Sequence, residues 1–357
     1  MRRSARCGGV KFGIVRRIGE TIAIALTKDD APISAFIWRD RKLDPAARYD
    51  DILPAIVRSI DKGRAEAFVE LENGQTGYFN LNPAYDPPAE GARIQAKVVA
   101  EAYADKNVRV RPVNDPPLLV GEDAALKRWT SEIIGPSDDV ETLTDQEVIQ
   151  SVHDARSDIE ASSVTLASGG QLHIERTRAL TAIDVDTSGT RQGGGVNDRA
   201  LSEVVRQVVL RRISGLVVID VVGAPKGAKA KSLHSDFQRG LRGAPIGKAD
   251  VLPVSAFGLV EVRIQRRDMP MSELSFETCS AGRKALEQAM LMLSEIQLAA
   301  EQNVTSRFVI ETTPNVRGVF ESAGFDWQGE LADRYGARFQ FRSRPVESPT
   351  EFEIMTQ

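Results

Sequence analysis

Three acidic residues stand where acids are costly. Asp184 and Asp186 close the stretch AIDVD, and Asp220 closes LVVID. Both stretches are short apolar runs of the kind that form buried strands. A carboxylate at the end of such a strand is unfavourable unless it is hydrogen-bonded, paired or metal-bound. Alternation along a strand sets Asp184 and Asp186 on one face. If the two strands are neighbours, Asp220 joins them at the carboxyl edge of the sheet, where parallel α/β units place their sites. An oxygen-only donor set suits Mg²⁺, which keeps several waters and binds through one or two carboxylates plus substrate phosphate. Such an ion polarises a phosphodiester and orients or deprotonates a water. The same aspartates would also serve as caps bonding loop N–H groups, and spacing alone leaves both readings open.

Other residues could grip a polyanion. Residues 223–248 carry Lys226, Lys229, Lys231, Arg239, Arg242 and Lys248 against one acid, Asp236. Following directly on the strand that ends at Asp220, this stretch reads as a loop that holds a phosphate backbone, or as a solvated basic loop. Phe68 and Tyr78 fall on adjacent predicted strands, as do the aromatics on which OB-type barrels stack bases, and Lys106 lies in a turn near them. Phe68 could equally belong to a barrel core. His153, His173 and His234 show no ligand spacing and receive no role, and the glycine-rich RQGGGV reads as a flexible turn.

The elements that must position these groups can be read from periodicity. Residues 10–40 alternate as two or three strands with a turn at Lys28–Pro32. Residues 50–112 read as five short antiparallel strands, which fits a small barrel. The acidic stretch 113–160 reads as a linker with one or two short helices. Two strands joined at Ser168–Gly170 and a third ending at Asp184–Asp186 follow. A helix over 198–212 has Leu201, Val204, Val205, Val208 and Val209 as its stripe and Asn197 as N-cap, and the strand GLVVIDVV comes next. A long helix over 282–302, the strand RFVIET, a helix near 314–323 and the strand ARFQFRS complete a small C-terminal unit.

A charge of −4 over 357 residues excludes a global polycation, so any nucleic-acid contact must be local. Cys7 and Cys279 cannot build a disulfide framework or a four-cysteine zinc site within one chain, which fits a reducing cytoplasm. No apolar segment follows the basic first residues, so no signal peptide is expected, and no run approaches a membrane span.

The stretch RTRALTAIDVDTSG, the helix NDRALSEVVRQVVLRR, the strand LVVID and the later VSAFGLVEVRIQR together resemble the catalytic core of the ribonuclease E/G family. The resemblance implies that Asp184 and Asp220 bind the metal, with Asp186 at the position of a third polar ligand. It places Asn197 and Arg206–Gln207 at family-like positions. It also likens residues 48–112, through AEAFVELENGQTGYFNL and DKNVRV, to an S1-like OB RNA-binding barrel, residues 161–272 to a DNase I-like α/β core, and residues 280–357 to the family's small α/β domain. Residues 1–47 are then a β segment packing on the core, and 113–160 a shortened remnant of the family's 5′-end sensor. The implied function is a Mg²⁺-dependent endoribonuclease that cuts single-stranded RNA to 5′-phosphate and 3′-hydroxyl ends. Departures from the family pattern are Arg178 in place of an acid, Gly223 in place of a second aspartate, and a lone Cys279 where the zinc-link CxxC would stand. They point to the alternative of a catalytically degenerate RNA-binding protein. They also imply that no zinc is bound, that any homodimer rests on other contacts, and that the 5′ end is not sensed.

Overall fold

The structure, a computed structural model, describes residues 9–82, 88–114, 121–135, 139–167, 169–187, 195–275 and 277–357. Cys7, Ser168, Phe276 and most of RQGGGV lie outside the described residues. The chain divides into two compact units. The first holds residues 1–13, 24–35 and 47–271, and the second holds 14–23, 36–46 and 272–357.

Strands β1 (Val10–Arg17), β2 (Glu20–Thr27) and β3 (Pro32–Arg39) form the expected N-terminal meander. Five further strands, β4 (Ile52–Asp61), β5 (Glu66–Leu71), β6 (Thr76–Asn80), β7 (Arg93–Ala100) and β8 (Val108–Val113), close into a barrel in the order β4-β5-β6-β8-β7. This is an OB-like arrangement at the expected place in the chain. One expectation needs correcting: the strands are not all antiparallel, because β6 and β8 pair parallel. A closed ring of five strands cannot alternate direction throughout, so one parallel pair is forced. Alternation sends Ala67, Val69, Leu71 and Phe79 into the barrel core with Val57, Val98, Val108 and Val110.

Residues 113–160 carry the two helices expected of them, and a short strand that joins a sheet as well. They form α1 (Glu122–Ile133), β9 (Val140–Thr142) and α2 (Asp145–Glu160). Helix α1 buries Ala125, Leu126, Trp129 and Ile133, and the Trp129 indole donates to Ser34 Oγ at 3.0 Å. Helix α2 starts with a capping box between Thr144 and Glu147 and buries Val148, Val152, Ala155 and Ile159. Strand β9 pairs parallel with β1, giving the sheet order β3-β2-β1-β9.

A six-stranded mixed sheet completes the first unit. Strands β10 (Ser163–Thr165), β11 (Gln171–Arg176) and β12 (Leu180–Asp186) are followed by helix α3 (Val196–Arg211), β13 (Gly215–Asp220), helix α4 (Gly227–Gly243), β14 (Ala249–Val251) and β15 (Leu259–Ile264). The order is β10-β11-β12-β13-β15-β14, with β12 and β13 parallel and the other pairs antiparallel. One face carries Leu172, Ile174, Ile183, Val185, Val217, Ile219, Val260 and Val262, all buried under α3 and α4. Asn197 is not the N-cap of α3, a place taken by Gly195. It sits inside the first turn, buried, where its amide donates to the Val222 carbonyl and accepts from the Val222 N–H, each at 3.0 Å. That pair of bonds holds the chain just beyond Asp220.

Unit two contains α5 (Lys284–Gln302), β16 (Phe308–Thr312), α6 (Pro314–Ala323), α7 (Trp327–Tyr335), β17 (Phe339–Ser343) and β18 (Phe352–Thr356). Its three strands run in the order β17-β16-β18 over a core of Met292, Leu293, Ile296, Phe308, Phe320, Trp327 and Leu331. Arg39 lies buried there, with two hydrogen bonds to the Glu287 carboxylate, one of them at 2.6 Å, and Glu20 3.8 Å away. Arg283 joins the group at 3.0 Å from Asp44 and 3.3 Å from Glu287. Cys279 is buried in this unit, and burial, with the nearby Glu287 and Glu273, raises its thiol pKa.

Candidate active site and nucleic-acid interface

The parallel pairing of β12 with β13 brings Asp184 directly opposite Asp220. Both point away from the helix-covered face, since their neighbours Ile183, Val185 and Ile219 are buried while the two aspartates are exposed. Directly opposed residues on neighbouring strands hold their side chains in contact range. Among the described residues, no hydrogen bond or ion pair reaches either carboxylate. Two adjacent like charges without compensation are mildly unfavourable even beside water.

Asp186 lies on the same face but one row further on. The β12–β13 register ends at Asp184, and Asp186 is opposite Gln171 on β11. The three carboxylates therefore do not converge as the sequence suggested. Among the described residues, no three His, Cys, Asp or Glu side chains cluster as a metal-binding group. The donors that remain, two carboxylates side by side without partners among the described residues, are of the kind that suits a hard cation keeping most of its water. Gly170 protects this end of the sheet: a Cβ there would stand 2.5 Å from the Asp186 carbonyl oxygen, and its φ of +92° suits glycine.

The same row contains a residue that the sequence reading left without a role. His173 on β11 is the register partner of Asp184, and its Nδ1 lies 3.0 Å from Ser163 Oγ on β10. The row thus reads Ser163, His173, Asp184, Asp220, Leu259 across five strands. No local spacing reveals it. Pairing β11 with β12 through the tight turn at residues 177–179 would have.

On the barrel, Phe68 pairs with Tyr78, and Tyr78 pairs with Arg109. Phe68 and Tyr78 are both half-buried on the outer face, so Phe68 is not part of the barrel core. Arg266, just beyond β15, donates to the Asn107 carbonyl at 2.7 Å. Lys106 is exposed and donates to the Tyr103 hydroxyl at 3.0 Å. Three cations surround that ring, with Lys106 4.9 Å, Arg176 5.2 Å and Arg266 5.8 Å from its centroid. Burial would raise the Tyr103 phenol, yet hydrogen bonds from Lys106 and Ser214 and the charges of Lys106 and Arg176 bring it below its ordinary value. Arg176 is opposite Thr181, three residues before Asp184, or roughly 10 Å along the strand. The barrel edge and the carboxylate row belong to separate sheets; Arg176 is the member of that edge that lies on the six-stranded sheet, and alternation places it on the face opposite Asp184.

The basic segment 223–248 is a helix over most of its length, not a loop. Its apolar stripe, Leu233, Phe237 and Leu241, recurs every four residues and packs on the covered face of the sheet. The outward side of α4 carries Lys231, Arg239 and Arg242, so these three lie across the sheet from the aspartates. Arg239 is paired with Asp236 at 2.7 Å and Lys248 with Asp250 at 3.2 Å. Lys226 and Lys229 differ. They are exposed at the start of α4, a few residues after Asp220, at the carboxylate end.

Residues 121–267 match the sequence model of the Ribonuclease E/G family, a span that includes Asp184, Asp220, both flanking helices and α1. Ribonuclease E of Haemophilus influenzae is 30% identical over 149 residues, covering 39% of this chain and 16% of its own length. Ribonuclease E of Nostoc sp. is 34% identical over 125 residues, covering 33% of this chain and 18% of its own. Ribonuclease G of Escherichia coli is 23% identical over 248 residues, covering 65% of this chain and 50% of its own. The chain thus spans at most half the length of these relatives. A solved structure from Streptococcus pneumoniae, described as a multidomain protein with nucleic acid binding domains, covers 33% of this chain and 43% of its own at 20% identity. Its TM-score of 0.17 gives it no weight for fold or function. No helix among the described residues is long and apolar enough to cross a membrane.

Proposed function

We propose that the chain, whose residues 121–267 match the ribonuclease E/G family, is an endoribonuclease of that family cleaving single-stranded RNA to 5′-phosphate and 3′-hydroxyl ends in RNA processing or decay in the cytoplasm. The observation that carries this reading is the side-by-side pair Asp184–Asp220, without partners among the described residues, inside the family-matched segment. In this reading the six-stranded sheet, with its two helices on one face, is a DNase I-like core, and the barrel is the S1-like RNA-binding domain.

The two carboxylates would hold Mg²⁺, and Asp186, one row away, would orient water around it. When bound, the ion supplies charge stabilisation to the phosphodiester and a more acidic water. The chain's own groups do the rest. Phe68 and Tyr78 hold bases by stacking, while Lys106, Arg109 and Arg176 hold backbone phosphates at the barrel edge. Lys226 and Lys229 offer the same to the phosphate nearest Asp220. Lys231, Arg239, Arg242 and Lys248, proposed from sequence as RNA contacts, are placed to add only long-range attraction. Hydrolysis breaks the bond between phosphorus and the 3′ oxygen. The phosphate stays with the downstream fragment and a proton passes to the 3′ oxygen of the upstream one.

The competing reading, an RNA-binding protein that keeps the scaffold without the chemistry, draws support from the lack of a three-ligand cluster among the described residues. Incubating the purified chain with fluorescent single-stranded RNA decides between them. Cleavage with Mg²⁺ that stops in EDTA is the expected result. Tight binding with no cleavage in any divalent ion would establish the competing reading.

A further inference from the structure

Phe257 is 87% exposed, the largest exposure among the big apolar side chains of the described residues. It is not on a floppy segment. It sits in the turn before β15, and Ser255 ties that turn down. The Ser255 hydroxyl accepts from the Phe257 N–H at 3.3 Å and from the Leu259 N–H at 3.1 Å. The Ser255 N–H donates to the Leu259 carbonyl at 2.9 Å, and the Gly258 N–H to the Ser255 carbonyl at 3.1 Å. The turn is also packed tightly onto the segment that follows Asp220. The Val221 N–H donates to the Gly258 carbonyl at 3.3 Å, and a Cβ on Gly258 would stand 3.0 Å from Ala224 Cα. The φ of +90° at Gly258 completes the requirement for glycine. A well-braced turn is thus used to hold an aromatic ring in solvent. A phenyl ring kept in water forfeits the free energy that burial would return.

The surroundings indicate what covers the ring. Leu259, two residues on, is the register partner of Asp220, so the turn borders the carboxylate row. Ala224, against which the turn packs, is two residues from the exposed Lys226, and Lys229 follows in the first turn of α4. An exposed ring beside exposed cations is the pairing that single-stranded nucleic acid uses: a base on the ring, its phosphates on the cations. We propose that Phe257 is a base-stacking residue that positions the nucleotide next to the scissile phosphate. The proposal rests on the reading of the Asp184–Asp220 row as a phosphodiester centre. Stacking of this kind accepts any base, because each has a π face, so it sets geometry rather than sequence choice.

The test uses the full chain, EDTA to prevent cleavage, and single-stranded RNA substituted with 5-iodouridine. Irradiation should attach the RNA to the peptide containing Phe257 as well as to the barrel. Phe257→Ala should lose that adduct and bind roughly tenfold to a hundredfold more weakly, and Phe257→Tyr should restore both. Phe257→Leu keeps apolar bulk without a π face and should behave like the alanine variant, which a packing role would not require. Wild-type RNA affinity in Phe257→Ala, with adducts confined to the barrel, overturns this proposal and leaves the ribonuclease reading intact. Failure of the wild-type chain to bind RNA at all overturns both.

Discussion

In one compact unit the Arg39 guanidinium, 2% exposed, is clamped by Glu287 with Glu20 beside it, while Arg283 ties Glu287 to Asp44. In the other unit Asp184 and Asp220 stand side by side on an exposed sheet face, with no partner among the described residues. Both arrangements gather charge, but under opposite rules. Buried ions must be matched, because desolvation is repaid only by close opposite charge. The exposed aspartates are left unmatched, and their mutual repulsion is tolerated beside water. Matching marks the first set as structural. Mismatch sets the second apart, and the proposed reading makes it the place of a cation.

The largest effect should come from breaking the matched set. Arg39→Met leaves Glu20 buried without its cation and Glu287 with Arg283 alone, and should cost roughly 3–5 kcal/mol, read as an early thermal transition. Adding Glu287→Leu should recover much of that loss, since removing both partners is far less costly than removing one. If the single variant melts like wild type, the pair is not what holds that unit together. A smaller effect is expected at the barrel. Tyr78→Ala should weaken single-stranded RNA binding by roughly 1–3 kcal/mol, and wild-type affinity should fall steeply with salt. Equal affinities for wild type and variant by fluorescence anisotropy would remove the Phe68–Tyr78 face from the interface. The smallest effect is on stability at the unmatched pair. Asp184→Asn and Asp220→Asn should each leave the melting temperature unchanged or slightly raised, within about 0.5 kcal/mol. A loss above about 1 kcal/mol would make these residues caps rather than ligands.

The placement of Asp184 beside Asp220 was legible because short-range signals carry it. The runs AIDVD and LVVID declare buried strands ending in acid, and the helix between them makes their parallel pairing the natural outcome. The barrel was legible from alternation and turn residues, though not its parallel closure, which follows from counting strands around a ring. The helices of 113–160 were expected, but its acids suggested a solvated linker rather than helices that bury a face. Yet Ala125, Leu126, Trp129 and Ile133, then Val148, Val152, Ala155 and Ile159, recur at helical spacing. The basic stretch misled through its glycines, Gly227, Gly240 and Gly243, which mask the Leu233–Phe237–Leu241 stripe. His173 and the exposure of Phe257 were beyond reach for a different reason. A histidine beside an aspartate exists only once the hairpin register is set, and a phenylalanine inside a familiar motif gives no sign that it faces water.

The most direct measurement is the cleavage rate of the Asp184→Asn chain on single-stranded RNA in Mg²⁺, with binding to the same RNA measured in EDTA. The carboxamide is nearly isosteric and leaves the strand pairing undisturbed. Cleavage should fall on the order of a hundredfold or more, matching the several kcal/mol a bound metal contributes, while RNA affinity and melting stay near wild type. Cleavage at the wild-type rate would contradict the assignment of the unmatched aspartates as the catalytic centre.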